Sequence, residues 1–127
     1  MKKKVLIIED EKDLRFFIAK ALKEEGIEVI EAFDGEEGIE KAKKEKPDLI
    51  LLDLLLPGIS GYEVLTRIKK DPELETIPVL ILSNLGQREE VEKGLKLGAI
   101  DYLIKANFTL KEIVERIKKI LTAPNKY

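Results

Sequence analysis

The chain has 127 residues, 44% hydrophobic and 38% charged, with no Cys, His or Trp and a formal charge of -2. That length suits one domain with its own core. The near balance of charge argues against a global electrostatic attraction to nucleic acid or a membrane surface. Without Cys there are no disulfides, thiol nucleophiles or thiolate metal sites. Without His the usual neutral-pH base and the commonest zinc ligand are missing. Chemistry must rest on carboxylates, Lys, hydroxyls and a hard, oxygen-preferring cation. The high charged fraction, rich in Lys and Glu, leans toward a heat-stable or idealised engineered sequence. Apolar runs are four or five residues long, against the roughly 18–20 needed to span a bilayer. Lys2, Lys3 and Lys4 precede such a run, but Glu9, Asp10 and Glu11 end it, so no signal peptide is read and a cytoplasmic location is expected.

In chain order, Val5–Ile8 is a near-continuous apolar run, the pattern of a strand buried on both faces of a parallel sheet. Leu14, Phe17, Ile18, Ala21 and Leu22 follow at helical spacing as one apolar stripe, with Gly26 where a C-terminal cap would sit. Glu28–Phe33 alternates like a strand nearer the edge. Gly35–Lys44 is a weaker helix carrying Ile39 and Ala42. Leu49–Leu52 is a third strand, and the helix over Tyr62–Lys69 offers Val64, Leu65 and Ile68. Val79–Leu82 is a fourth strand, and Glu89–Leu97 a helix with Val91 and Leu95. A fifth strand holds Tyr102, Leu103 and Ile104. The last helix carries Leu110, Ile113, Val114, Ile117, Ile120 and Leu121, with Thr109 and Glu112 placed as a capping box. Five βα repeats predict an α/β fold, a parallel sheet covered by helices on both faces. Residues 1–121 read as one domain and 122–127 as a frayed tail.

In such folds the ligand site lies beyond the carboxyl ends of the strands. Those ends deliver Glu9, Asp10 and Glu11, then Asp53, Ser83 and Lys105. Two carboxylates about 4 Å apart repel by roughly 4 kcal/mol at an effective dielectric near 20, so Glu9, Asp10 and Asp53 call for a cation. An all-oxygen site favours Mg²⁺, and Lys105 adds positive charge. A metal, a Lys and a hydroxyl together suit phosphoryl transfer. Ser83 has no His to activate it. A carboxylate needs no base, and Asp53, interrupting the apolar stretch Leu49–Leu56, is the candidate nucleophile.

The run Ile7-Ile8-Glu9-Asp10-Glu11, the segment Leu52-Asp53-Leu54-Leu55-Leu56-Pro57-Gly58 with Gly61, the pair Leu82-Ser83, and Gly98-Ala99-Ile100-Asp101-Tyr102-Leu103-Ile104-Lys105 together resemble the receiver domain of bacterial two-component response regulators. The resemblance spans about Lys3 to Leu121. It implies a flavodoxin-like (βα)5 fold with strand order 2-1-3-4-5. It further implies that Asp53 is the phosphoacceptor, that Asp10 ligates Mg²⁺ directly and Glu9 through water, and that the Leu55 backbone carbonyl completes the metal site. Ser83 then resembles the switch hydroxyl, Tyr102 the aromatic switch and Lys105 the phosphoryl-pairing lysine. The implied partners are a sensor histidine kinase or phosphotransfer protein, and a downstream protein that reads the helix 4–strand 5–helix 5 face. Neither nucleic acid nor membrane is expected as a direct partner, and the expected chemistry is self-phosphorylation and self-dephosphorylation rather than turnover of an external substrate.

Three departures from the family pattern stand out. The acidic pair is Glu-Asp rather than Asp-Asp, and Asn84 follows Ser83 where a small residue is usual. The Lys-Pro dipeptide, usually cis, is replaced by Lys105-Ala106, for which a trans bond and a rearranged loop are expected, because cis before a non-proline costs about 2.5–4 kcal/mol. Leu55 and Leu85 occupy variable positions around the attacking water and cannot orient it, so slow loss of the phosphoryl group is expected. Tyr102 reads equally well as packed core, while Lys2–Lys4 and Lys118-Lys119 read as solvated charge. Other readings are an aspartate-nucleophile phosphatase, disfavoured by Leu55 at the acid/base position, and a flavin or nucleotide binder, whose phosphate Glu9-Asp10-Glu11 would repel. A designed or reconstructed scaffold is a further reading. The sequence stops after the last helix, so no output domain is expected unless the chain is part of a longer protein.

Overall fold

Successive side chains of a strand point to opposite faces, so an unbroken apolar strand needs cover on both sides. The computed structural model, which describes residues 2–123, supplies it. Five strands form one sheet: β1 (Lys4–Ile8), β2 (Glu28–Ala32), β3 (Leu49–Leu52), β4 (Val79–Ser83) and β5 (Asp101–Ile104). All pairings are parallel, in the order β2-β1-β3-β4-β5. The crossovers are α1 (Lys12–Glu24), α2 (Gly35–Glu45), α3 (Gly61–Lys70) and α4 (Arg88–Lys96), and α5 (Leu110–Thr122) follows β5. The expected architecture and strand order are thus present.

Alternation along β1 divides the core. Val5 and Ile7 join Ile18, Ala19 and Leu22 of α1 and Ile113, Val114 and Ile117 of α5 in one layer. Leu6 and Ile8 join Ala42 of α2 and Val64, Leu65 and Ile68 of α3 in the other. The edge strand β2 is the least buried, with only Ala32 fully enclosed, as its alternating pattern predicted.

Helix ends follow their sequence signals. The Thr109 hydroxyl accepts from Glu112 N at 3.1 Å and the Glu112 carboxylate accepts from Thr109 N at 2.8 Å, a complete capping box. Helix α5 extends through Thr122, whose hydroxyl donates to the Lys118 carbonyl. The rest of the expected tail, residues 124–127, lies outside the described residues.

Three apolar positions depart from expectation. Phe17 is 53% exposed, because the buried stripe of α1 runs from Ile18 through Leu22 to Ala19 and Phe17 lies about 100° from Ile18 on the side away from Ala19. It stands edge-on to Phe16 instead. Leu110, in the first turn of α5, is exposed. Leu95 of α4 is exposed as well, since α4 seats on the sheet by its backbone at Gly94. A Cβ there would meet Ile81 Cδ1 at 2.7 Å and the Tyr102 ring at 3.2 Å, so a larger residue would have to displace the Ile81 side-chain tip and press on the Tyr102 ring to keep this approach.

Candidate functional site

A parallel sheet brings every strand's carboxyl end to one edge. Glu9 and Asp10 follow β1, Asp53 follows β3, Ser83 ends β4, and Lys105 opens a short 3₁₀ turn, Lys105–Asn107, after β5. Main-chain bonds extend the ladder into the site. Asp53 N donates to the Ile8 carbonyl at 3.0 Å, and Glu9 N donates to the Ala32 carbonyl at 3.0 Å. These bonds hold Glu9 and Asp53 side by side, each 3% exposed. All described peptide bonds are trans, including Lys105–Ala106, and the 3₁₀ turn is the local form the loop takes.

The Lys105 ammonium sits among three carboxylates, 2.8 Å from Glu9 Oε1, 2.9 Å from Glu11 Oε2 and 3.0 Å from Asp53 Oδ2. Burial alone would lower its pKa, but hydrogen bonds to Glu9, Glu11 and Asp53 outweigh that and raise it. Lys105 therefore remains a cation. Burial also pushes the Glu9 carboxyl up to about 7, against the opposing pull of the Lys105 hydrogen bond and the Glu11 backbone N–H, with the Asp53 charge adding to the rise. Both Glu9 oxygens are engaged, Oε1 with Lys105 and Oε2 with Glu11 N at 3.0 Å.

One carboxylate oxygen each from Glu9, Asp10 and Asp53 lies within 4.8 Å of the others. An all-oxygen donor set with one exposed member, Asp10, fits a hard divalent cation that keeps some of its water. The group expected from the sequence is therefore brought together.

The two expected switch residues meet elsewhere. Ser83 is fully buried and its hydroxyl accepts from Leu85 N at 3.3 Å. The Tyr102 ring is buried and its hydroxyl donates to the Leu85 carbonyl. Burial pushes the Tyr102 phenol up to about 12, with Tyr62, Glu90 and Asp53 adding to the effect, so it stays a donor. Both residues are thus fastened to the two backbone groups of one residue, Leu85. Among the described residues, neither hydrogen-bonds Asp53 or Lys105.

Sequence reasoning placed Glu11 at this edge without giving it a role, and missed Arg15. Glu11 contributes the third carboxylate on Lys105. Arg15 donates through Nη1 to the Glu9 carbonyl at 2.7 Å and through Nε to Glu31 at 3.1 Å, pinning the β1–α1 loop to β2. The only sequence signal for Arg15 was its place on the first turn of a helix that follows the acidic run. Gly61 is a third positioning element: a Cβ would lie 2.3 Å from the Asp53 carbonyl oxygen. Its absence lets α3 begin directly beneath Asp53, where Gly61 N donates to the Leu54 carbonyl at 3.0 Å. Leu55 is 52% exposed at the rim, its N–H donating to Asp53 Oδ1 at 3.1 Å. With no carboxylate at that position, the phosphatase reading lacks its second acid.

Residues 5–118 match the response regulator receiver domain family. Among curated proteins, the chain is 36% identical over 121 residues to the phosphate regulon transcriptional regulatory protein PhoB of Escherichia coli, covering 95% of this chain and 52% of that one. It is 39% identical to the alkaline phosphatase synthesis transcriptional regulatory protein PhoP of Bacillus subtilis, covering 95% and 49%. The chain thus spans about half the length of these curated relatives. A crystal structure of a putative response regulator from Chloroflexus aurantiacus superposes with a TM-score of 0.88 at 35% identity, covering 97% of this chain and all of that one. The chemotaxis response regulator CheY4 of Vibrio cholerae superposes at 0.87 with 27% identity, covering 94% and 99%. The sheet order, the carboxylate–lysine edge and these matches agree: the chain belongs to the response regulator receiver domain family.

Proposed function

We propose that Asp53 accepts a phosphoryl group and that the modified domain signals through the face formed by α4, β5 and α5. The observation that carries this reading is the Lys105 ammonium 3.0 Å from Asp53 Oδ2, set in a carboxylate cluster able to hold a hard cation. An Asp53 oxygen attacks phosphorus, the bond from phosphorus to the leaving group breaks, and the leaving group keeps the electron pair. Lys105 then pairs with a phosphoryl oxygen instead of the carboxylate, opposing the charge that gathers there. A bound Mg²⁺, held by Asp10, Asp53 and the Leu55 carbonyl with Glu9 acting through water, would neutralise phosphoryl charge. Ser83 and Tyr102 enter as switch residues: drawing the Ser83 hydroxyl toward the new phosphoryl oxygens releases Leu85 N, and the Leu85 carbonyl that holds Tyr102 moves with it.

The donor is a sensor histidine kinase or phosphotransfer protein, and the recipient a protein that recognises the altered face. The relatives' names supply a precedent, since they are transcriptional regulators about twice this length. The test is incubation with acetyl phosphate and Mg²⁺, followed by intact mass. A gain of one phosphoryl group by the native chain and none by Asp53→Asn is expected. Equal labelling of both would sink the assignment.

A further inference from the structure

Tyr62, the second residue of α3, has no part in the phosphoryl chemistry, yet it makes two distinct contacts with α4. Its hydroxyl donates to the Glu90 carbonyl at 3.0 Å, and the Lys93 ammonium lies 4.2 Å from its ring centroid. Burial and then the Glu90 charge push its phenol up, which keeps it a donor. On its own helix the Tyr62 carbonyl accepts from the Thr66 hydroxyl at 2.9 Å.

These contacts matter because α4 has little else to hold it. Its one buried residue is Gly94, which has no side chain to contribute, while Val91 is half-buried and Leu95 is 44% exposed. In an α-helix the Glu90 carbonyl also faces the Gly94 N–H, four residues on. Gly94 is where the Tyr102 ring packs. Tyr62 therefore grips the turn of α4 on which Tyr102 rests, while the Leu85 carbonyl holds the Tyr102 hydroxyl.

We infer that Tyr62 is a clasp between α3 and α4 that holds the switch helix in its resting place and lowers the population of the rearranged form. The consequence for signalling rests on the phosphoacceptor reading of Asp53, whereas the clasp itself does not. A two-state element whose resting form carries an extra contact needs more differential interaction energy to convert. Removing that contact should ease phosphorylation as well as loosen the helix.

Tyr62→Phe keeps the ring and deletes only the hydroxyl, and Lys93→Gln deletes the cation. Amide hydrogen exchange on the unphosphorylated protein should show Gly94–Leu97 exchanging roughly 3–10-fold faster in Tyr62→Phe, the range one net hydrogen bond supports. Lys93→Gln should move the same amides in the same direction by less. Val64–Ile68 and the strands β1 and β3 should not change. The initial rate of labelling by acetyl phosphate with Mg²⁺ should rise in Tyr62→Phe by several-fold. Unchanged α4 exchange, or an equal rise throughout the protein, would overturn the clasp. Faster α4 exchange with an unchanged labelling rate would overturn its bearing on the switch. If neither protein is labelled, the reading of Asp53 fails instead, and the exchange data still decide the clasp.

Discussion

Replacing Lys105 by Met removes the cation that lies 2.8 Å from Glu9 and 3.0 Å from Asp53. Two carboxylates, each 3% exposed, then share a site with no ammonium between them. Leaving buried charge unpaired costs about 3–5 kcal/mol where it cannot be neutralised. Here it can, because burial already holds Glu9 at about 7, and a protonated Glu9 can donate to Asp53. The penalty is therefore pH-dependent. A carboxyl whose folded pKa exceeds its unfolded value binds more protons when folded, so stability falls as pH rises from the unfolded to the folded pKa, by about 1.4 kcal/mol per unit. In the native protein that fall starts near 4.5 and ends near 7. In Lys105→Met the folded value moves higher and the fall continues. Between about pH 7 and pH 8 the variant should lose about 1 kcal/mol more than the native protein. Urea unfolding at about pH 5.5, 7 and 8 measures the gap, and Glu9→Gln placed in the Lys105→Met background should abolish its pH dependence. A gap that is constant or narrows with rising pH would refute the reasoning.

Millimolar Mg²⁺ should raise the unfolding free energy of the native chain by about 1.4 kcal/mol at roughly ten times Kd, followed by thermal melts. Asp10→Asn should lose most of that gain, whereas an equal gain in both proteins would place the ion elsewhere. Leu55→Asn, which supplies a side chain able to orient water at the rim of Asp53, should shorten the lifetime of the phosphorylated form by about tenfold or less, within the range expected for positioning a reacting water. Decay of the phosphoprotein mass reads this, and a native half-life of seconds would contradict the expectation of slow loss. Gly61→Ala should cost about 1–3 kcal/mol, because the added methyl would sit 2.3 Å from the Asp53 carbonyl oxygen and 2.5 Å from Leu54 Cα, both backbone atoms that cannot swing aside. Urea midpoints test it, and an unchanged midpoint would mean that α3 shifts freely.

Leu49–Leu52 was legible as a strand because four consecutive apolar residues between turn signals can be satisfied only by cover on both faces. Thr109 and Glu112 were legible as a helix start because a capping box is a local contract between a side chain and the backbone three residues away. Glu9, Asp10, Asp53 and Lys105 were legible together because a parallel sheet sends the carboxyl end of every strand to one edge. Phe17 and Leu95 were misplaced for the opposite reason. Helical spacing gives the angle between residues, but which angle faces the sheet depends on how the helix docks, and α4 docks through Gly94.

Sequence alone determined the strands, the helix ends, the family and the set of groups at the reactive edge, since each depends on residue type and short-range order. Tertiary structure alone decided how those groups are paired. That Lys105 divides itself among Glu9, Glu11 and Asp53 depends on side chains 94 and 52 residues apart along the chain meeting within hydrogen-bond reach. That Ser83 and Tyr102 both end on Leu85, and that Tyr62 reaches Glu90, depends on loop path and helix placement in the same way. The near-neutral total of charge hides this local imbalance, because net charge carries no distances, and the Coulomb energy that organises the site is set by distance and burial.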